Sequence, residues 1–179
     1  MTQFEFISVF ISIIFGLALA HLLTGLIQQI YRGRISYQRV AYTLLTLTAI
    51  ILQWWVLFLW KGTPVWTFET FFVLVLWALA FFSLAVSLYP PGSKPEDRFA
   101  GHRRAYLRIW IGALALDLLQ TGLRGDLMQP PYYIPFIAHY MLLAALAIQI
   151  DSTAFQRIIA TYMPLSLLVW AFIVRHLVT

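Results

Sequence analysis

Long unbroken runs of apolar residues, separated by short polar or turn-forming breaks, dominate the pattern along this chain. Six runs come close to the ~20 apolar residues a helix needs to cross the ~30 Å hydrocarbon core of a bilayer. They cover residues 4–31, 40–60, 70–89, 105–123, 132–150 and 154–176. The second carries no charge, whereas the fourth contains Asp117 and begins beside Arg108. Gly33, Gly62 with Pro64, Pro90-Pro91-Gly92, and Pro130-Pro131 punctuate the breaks. Only Asp151, Ser152 and Thr153 separate the last two runs, which predicts an antiparallel helical hairpin. The runs are apolar on every side, without the period-two alternation of a barrel strand, and open strands leave backbone groups unpaired in lipid. The expectation is an all-α membrane protein, a single bundle of six transmembrane helices over residues 1–179.

Composition agrees with that reading. Of 179 residues, 61% are hydrophobic and 11% charged, less than half the charged fraction of a typical soluble domain. The absence of cysteine removes disulfides, thiolate metal sites and thiol nucleophiles. Glu5, at the very start of the first run, is the only charge before Arg32, the first basic residue. That order is opposite to a cleaved signal peptide, so the first run is expected to be a retained helix.

The net charge of +5 is distributed unevenly. Arg32, Arg34, Arg39, Lys94, Arg98, Arg103, Arg104, Arg108 and Arg157 fall on one side of the predicted membrane, against Lys61, Arg124 and Arg175 on the other. Basic residues in short loops stay cytoplasmic, which predicts both termini outside. Arg98, Arg103, Arg104 and Arg108 are then expected to meet anionic lipid headgroups. Nucleic acid is not an expected partner, because this short stretch also holds Glu96 and Asp97.

Ionisable residues at membrane depth are costly and are candidates for function. Counted from the predicted cytoplasmic helix ends, His21, Asp117 and His139 lie roughly 15, 18 and 16 Å deep. This coincidence predicts a shared midplane polar site, with Gln53 as a weaker fourth member. Pro164 in the sixth run predicts a kink. On the first helix, Ser8, Ser12, Gly16, Ala20 and Thr24 recur every four residues, the spacing of a close helix-packing face. The segments around His21 (Gly16 to Leu26) and Asp117 (Gly112 to Leu123) share a glycine five residues before the ionisable position and a following Leu-Leu and Thr-Gly-Leu. Helices one and four would then head a three-plus-three inverted repeat, the layout of many secondary transporters.

The run Phe15 to Leu26, the basic turn after it and Gln53-Trp54-Trp55 in the second helix resemble a set of small uncharacterised bacterial polytopic inner-membrane proteins. The resemblance covers the first two or three helices. It implies a multi-pass protein of a bacterial inner membrane and carries no activity with it.

Three functions are compatible with these residues. One is a small transporter or channel-like homo-oligomer using His21, Asp117 and His139. Another is an accessory or structural subunit of a membrane complex. The third is a redox protein with b-type haem held axially by His21 and His139. No phosphate loop, zinc-binding helix or nucleophile elbow occurs in the sequence, and no catalytic residue or resident metal is expected.

Overall fold

The computed structural model describes residues 2–33, 35–63, 65–91 and 99–174. Every regular element in them is helical: α1 (Gln3–Tyr31), α2 (Tyr37–Val56), a 3-10 segment (Leu57–Gly62), α3 (Phe68–Leu88), α4 (Phe99–Arg124), α5 (Tyr133–Gln149) and α6 (Thr153–Val174). Local chemistry sets several boundaries. Thr2 and Glu5 form a reciprocal capping box at the start of α1. Thr67 accepts the Thr70 N–H at the start of α3. Gly33 and Gly125 take positive φ just beyond α1 and α4, the conformation in which glycine ends a helix. The second apolar run does not stay α-helical to residue 60, because its last turn tightens into the 3-10 segment. The fourth helix starts at Phe99, ahead of the predicted residue 105.

Four of these segments are long and apolar enough to cross a membrane: α1, α2 with its 3-10 extension, α3 and α6. The six predicted runs are therefore not equivalent. α4 has the length, at 26 residues, but carries Arg103, Arg104, Arg108, Asp117 and Arg124. α5 is apolar but has 17 residues, or about 26 Å.

Side-chain contacts sort the helix ends into two groups. Phe4 lies beside Trp66, and Trp60 beside Gln120 and Arg124. At the opposite end, Arg39 lies over Tyr89 and Phe99, Tyr37 bonds Thr161, and Arg103 and Arg104 bond Asp151. The helices thus alternate in direction. α1 lies parallel to α3 through Phe4–Trp66, Phe10–Phe71 and Phe15–Trp77. α4 packs on α3 and α5, and α2 on α6. The predicted α5–α6 hairpin is present and is held by side chains along its length. Phe136 stacks on Trp170 at 3.8 Å, the Tyr140 hydroxyl donates to the Met163 carbonyl at 2.9 Å, and Gln156 donates to the Ala147 carbonyl at 2.8 Å. The second of these bonds places a polar spot beside Pro164, within α6.

The two halves are not packed alike, which corrects the inverted-repeat expectation. α1 and α3 share a long interface, but the corresponding pair α4 and α6 does not. In the second half the long interface joins α4 to α5. Short sequence echoes among apolar helices reflect a small alphabet and do not carry this packing.

The tight seam of α1 also differs from the small-residue stripe. Its buried face is Ile7, Ile11, Phe15, Ala18 and Leu22, because the bulky Trp77 and Phe81 of α3 need apolar partners of matching size. Ser8, Ser12 and Gly16 are half-buried, Ala20 and Thr24 are exposed, and a Cβ on Gly16 would meet nothing within 4 Å. Close approach occurs instead at Gly25, where an added Cβ would fall against the Tyr89 ring. Gly→Ala inside a helix ordinarily stabilises by ~1 kcal/mol. Here the Tyr89 ring must move, which strains its bond to Thr43 and the His21 contact to its carbonyl. Gly25→Ala is expected to destabilise by about 1–3 kcal/mol, read by denaturant unfolding in micelles; a gain in stability would show that the ring yields freely.

Candidate functional site

Asp117, Gln120, Thr121 and Arg124 are spaced at i, i+3, i+4 and i+7, so they lie along one face of α4. That face meets three other elements. Gln53 comes from the last turn of α2, Trp77 from the middle of α3 and Tyr133 from the first residue of α5. Asp117 is 3% exposed. Its Oδ1 accepts from Gln53 Nε2 at 3.0 Å, Trp77 Nε1 at 3.1 Å and Gln120 Nε2 at 3.2 Å. Its Oδ2 faces the Tyr133 hydroxyl at 2.8 Å. A buried carboxyl is tolerated only when it is hydrogen-bonded in this way.

A second tier completes the cluster. Gln120 Oε1 accepts from Trp60 Nε1 at 2.9 Å, and its Nε2 also donates to Thr121 Oγ1 at 3.0 Å. The Tyr133 hydroxyl lies 3.1 Å from Thr121 Oγ1 and 3.3 Å from the Asp117 carbonyl. This arrangement accommodates either protonation state of Asp117. With the carboxylate ionised, Tyr133 donates to Oδ2. With it protonated, Oδ2 donates to Tyr133, whose own hydrogen turns to Thr121 or to the backbone carbonyl.

One turn farther along, Arg124 donates from Nε to Asp126 Oδ2 at 2.5 Å and lies 5.9 Å from the centre of the Trp60 ring. Its side chain is 9% exposed, and its Nη1 is buried without a hydrogen-bond partner. A cavity of about 70 Å³ runs alongside. Gln53, Asp117, Gln120, Thr121, Arg124 and Gln129 are among its polar lining, and Trp110, Phe136, Tyr140, Leu167 and Trp170 among its aromatic and apolar lining. One water needs roughly 10–15 Å³ of such space, so the cavity has room for several waters or a slender ligand.

Of the residues expected to share a site, Asp117 and Gln53 are together and the two histidines are elsewhere. His21 Nε2 pairs with the Tyr89 carbonyl at 2.8 Å, at the end of α3. Tyr89 is twelve residues beyond Trp77, so His21 sits about 18 Å along the bundle from the Asp117 level. It is near a helix end and not at mid-depth, because the α1 helix is 29 residues long against 21 for α3 and overhangs it. His139 is edge-on to Tyr162 at 5.5 Å, on the α6 side of α5. Each histidine has its own neighbours, α1 and α5 share no extensive interface, and the pair does not face across a haem-sized gap. The residues present do not fit a bis-histidine haem.

Trp60, Trp77 and Tyr133 are not among the residues expected to share the polar site. Their polar handles are visible only once the fold brings them to Asp117, whereas the helical spacing of Gln120, Thr121 and Arg124 from Asp117 was a usable signal. Among the arginines expected at lipid headgroups, Arg103 and Arg104 bind Asp151 at 2.7 and 2.6 Å, and Arg108 is exposed. Arg98 lies outside the described residues. No family model, curated protein or solved structure matches the chain.

Proposed function

We propose that this chain is a multi-pass protein of a bacterial inner membrane, crossing six times with both termini outside. It acts as a small transporter or channel-like homo-oligomer whose polar centre is the Asp117 cluster. The carrying observation is that cluster: a buried carboxyl from α4, bonded to α2, α3 and α5, satisfied in both protonation states and bordering a cavity. Exchange of one proton can then reorganise four helices' contacts without leaving a buried group unpaired. The alternating helix directions and the concentration of basic residues at the Asp151 end support the orientation. A cavity of this size does not traverse a bundle, so passage through the membrane calls on a second copy. At the cytoplasmic end, Arg104 and Arg108 meet anionic headgroups.

Purified protein in proteoliposomes, loaded with a pH-sensitive dye, tests this reading. Wild type is expected to pass protons under an imposed gradient, and Asp117→Asn to lose at least tenfold of that flux while remaining folded. Equal flux in the two proteins, or none in wild type, sinks the reading. The accessory-subunit alternative then stands, favoured by the completeness of the Asp117 bonds, which suits a cluster that only holds helices together.

A further inference from the structure

The two oxygens of Asp117 have chemically different partners. Oδ1 is taken by three N–H donors, Gln53 Nε2, Trp77 Nε1 and Gln120 Nε2. Amide and indole N–H groups donate a hydrogen bond and do not pass a proton on. Oδ2 faces a hydroxyl, that of Tyr133, at 2.8 Å. A hydroxyl donates and accepts at once, so it can receive a proton on one side while releasing its own on the other. Tyr133 is also the titratable side chain that meets the carboxyl from α5. From α2 and α3 come Gln53 and Trp77, which do not titrate, and the paired charges Arg124 and Asp126 stand about two turns away at the end of α4.

The surroundings of Tyr133 give this hydroxyl a side. Tyr133 is the first residue of α5, and its backbone N–H donates to the Pro130 carbonyl. Pro130 and the exposed Gln129 line the same cavity as Tyr133 and Asp117. Space for several waters thus joins an exposed residue of the α4–α5 loop to the carboxyl and its hydroxyl partner. In the other direction, toward the Asp151 end, α4 continues through Leu114, Ala113 and Trp110 and α3 through Phe81, all buried. The next hydroxyl on α4 is that of Tyr106, eleven residues or about 16 Å away, and it is bonded to Thr46.

We propose that Tyr133 is the proton relay of Asp117 and that it opens toward the α4–α5 loop alone. The relay rests on the reading of Asp117 as the exchanging group and adds the route and its side. On loading, a hydrated proton in the cavity forms a bond to Tyr133 Oη while the original Tyr133 O–H bond breaks and its proton passes to Asp117 Oδ2. One O–H bond forms for each that breaks, water is left behind, the carboxylate becomes neutral and no tyrosinate arises. Unloading runs the same bonds backwards. Passage to the far side then requires the helices around Asp117 to rearrange.

The test follows the emission of Trp77, whose indole N–H touches the carboxyl. Full-length protein in phosphatidylcholine nanodiscs is mixed rapidly with buffer of another pH, and Asp117→Asn serves as the blank. Wild type is expected to show a pH-dependent transition that the blank lacks. Tyr133→Phe keeps the ring and removes the relay, so the protonation and deprotonation rates should both fall at least tenfold. A hydroxyl that only bonded the carboxylate would shift the midpoint without slowing both directions. The chain has no cysteine, so Gln129→Cys supplies a single thiol at the cavity, and Ser152→Cys one at the opposite end of the bundle. A neutral benzyl methanethiosulfonate label should slow the transition severalfold on the first and leave it unchanged on the second.

The proposal is overturned if no Asp117-dependent transition occurs, or if Tyr133→Phe keeps the wild-type rates, which would mean that water reaches Oδ2 directly. A label at residue 152 that slows exchange as much as one at residue 129 overturns it too. Should Tyr133→Phe fail to fold, wild type in mixtures of light and heavy water still decides. A curved dependence of the rate on deuterium fraction means two hydrogens moving together, and a straight one means a single direct transfer and no relay. Proton flux that needs Asp117 and not Tyr133 removes the relay and leaves the transport reading; a Tyr133-dependent transition without flux does the reverse.

Discussion

Asp117→Ala is expected to destabilise the bundle by about 2–4 kcal/mol, and Asp117→Asn by about 1 kcal/mol or less. The difference lies in the acceptor and not in the charge. Alanine removes the one oxygen that serves Gln53, Trp77 and Gln120, leaving three N–H donors to find new partners. Single interhelical hydrogen bonds in membranes average only ~0.6 kcal/mol, because alternatives are usually at hand. Here alternatives are scarce, since Trp77 is 1% exposed and Gln120 also 1%. Gln53 is half-buried at the cavity and can take a water, which keeps the total below three full penalties.

Asparagine retains an oxygen for the three donors and places its amide toward Tyr133, whose hydroxyl can accept and turn its own hydrogen to Thr121. Equilibrium unfolding in mixed micelles, with helicity as the signal, measures both variants. If alanine costs no more than asparagine, the donors re-pair freely and the cluster does not hold the helices. The near-neutral asparagine variant is also what makes the flux comparison informative, because it removes the exchangeable proton and keeps the fold.

How much of this was legible in the sequence depends on which physical term governs each feature. Helix number follows from apolar run length, a local property, and six α-helices occur, while their ends depart from the runs, as at Phe99 in α4 and in the 3-10 turn after α2. Depth was less legible. His21 and Asp117 were placed in one plane by counting from helix ends, a method that assumes helices of equal length. The 29 residues of α1 and the 21 of α3 break that assumption and carry His21 to the Tyr89 carbonyl. Partner choice was least legible. Four-residue spacing of small side chains indicates where a helix permits close approach, but bulk decides where approach occurs, and Trp77 with Phe81 draws Phe15 and not Gly16 into the seam. The site was half visible. Asp117 was marked by the cost of its charge in lipid, and the helical spacing of Gln120 from it was a usable signal, while nothing in the sequence tied Trp77 or Tyr133 to Asp117 until the fold turned their N–H and O–H toward its carboxyl.

Trp170→Ala is expected to cost about 2–4 kcal/mol, and Trp170→Phe about 1 kcal/mol. Trp170 is 8% exposed, stacks on Phe136 at 3.8 Å with 11° between the rings, and meets the Tyr132 ring edge-on at 5.3 Å. In a soluble core, Trp→Ala costs ~3–5 kcal/mol, part of it the transfer of apolar surface to water. Lipid removes that part, since acyl chains are as apolar as the side chains they replace. What remains is the lost ring contact and the space left between α5 and α6. That space matters because the hairpin is held by side chains along its length, and Phe136–Trp170 is its contact nearest the cavity mouth. Phenylalanine keeps a ring against Phe136 and most of the filling. Unfolding in mixed micelles gives the stability change, and hydrogen exchange along α6 locates it. Faster exchange confined to the second half of α6 is the expected result; uniform exchange across the bundle would mean that this aromatic pair holds more than the hairpin.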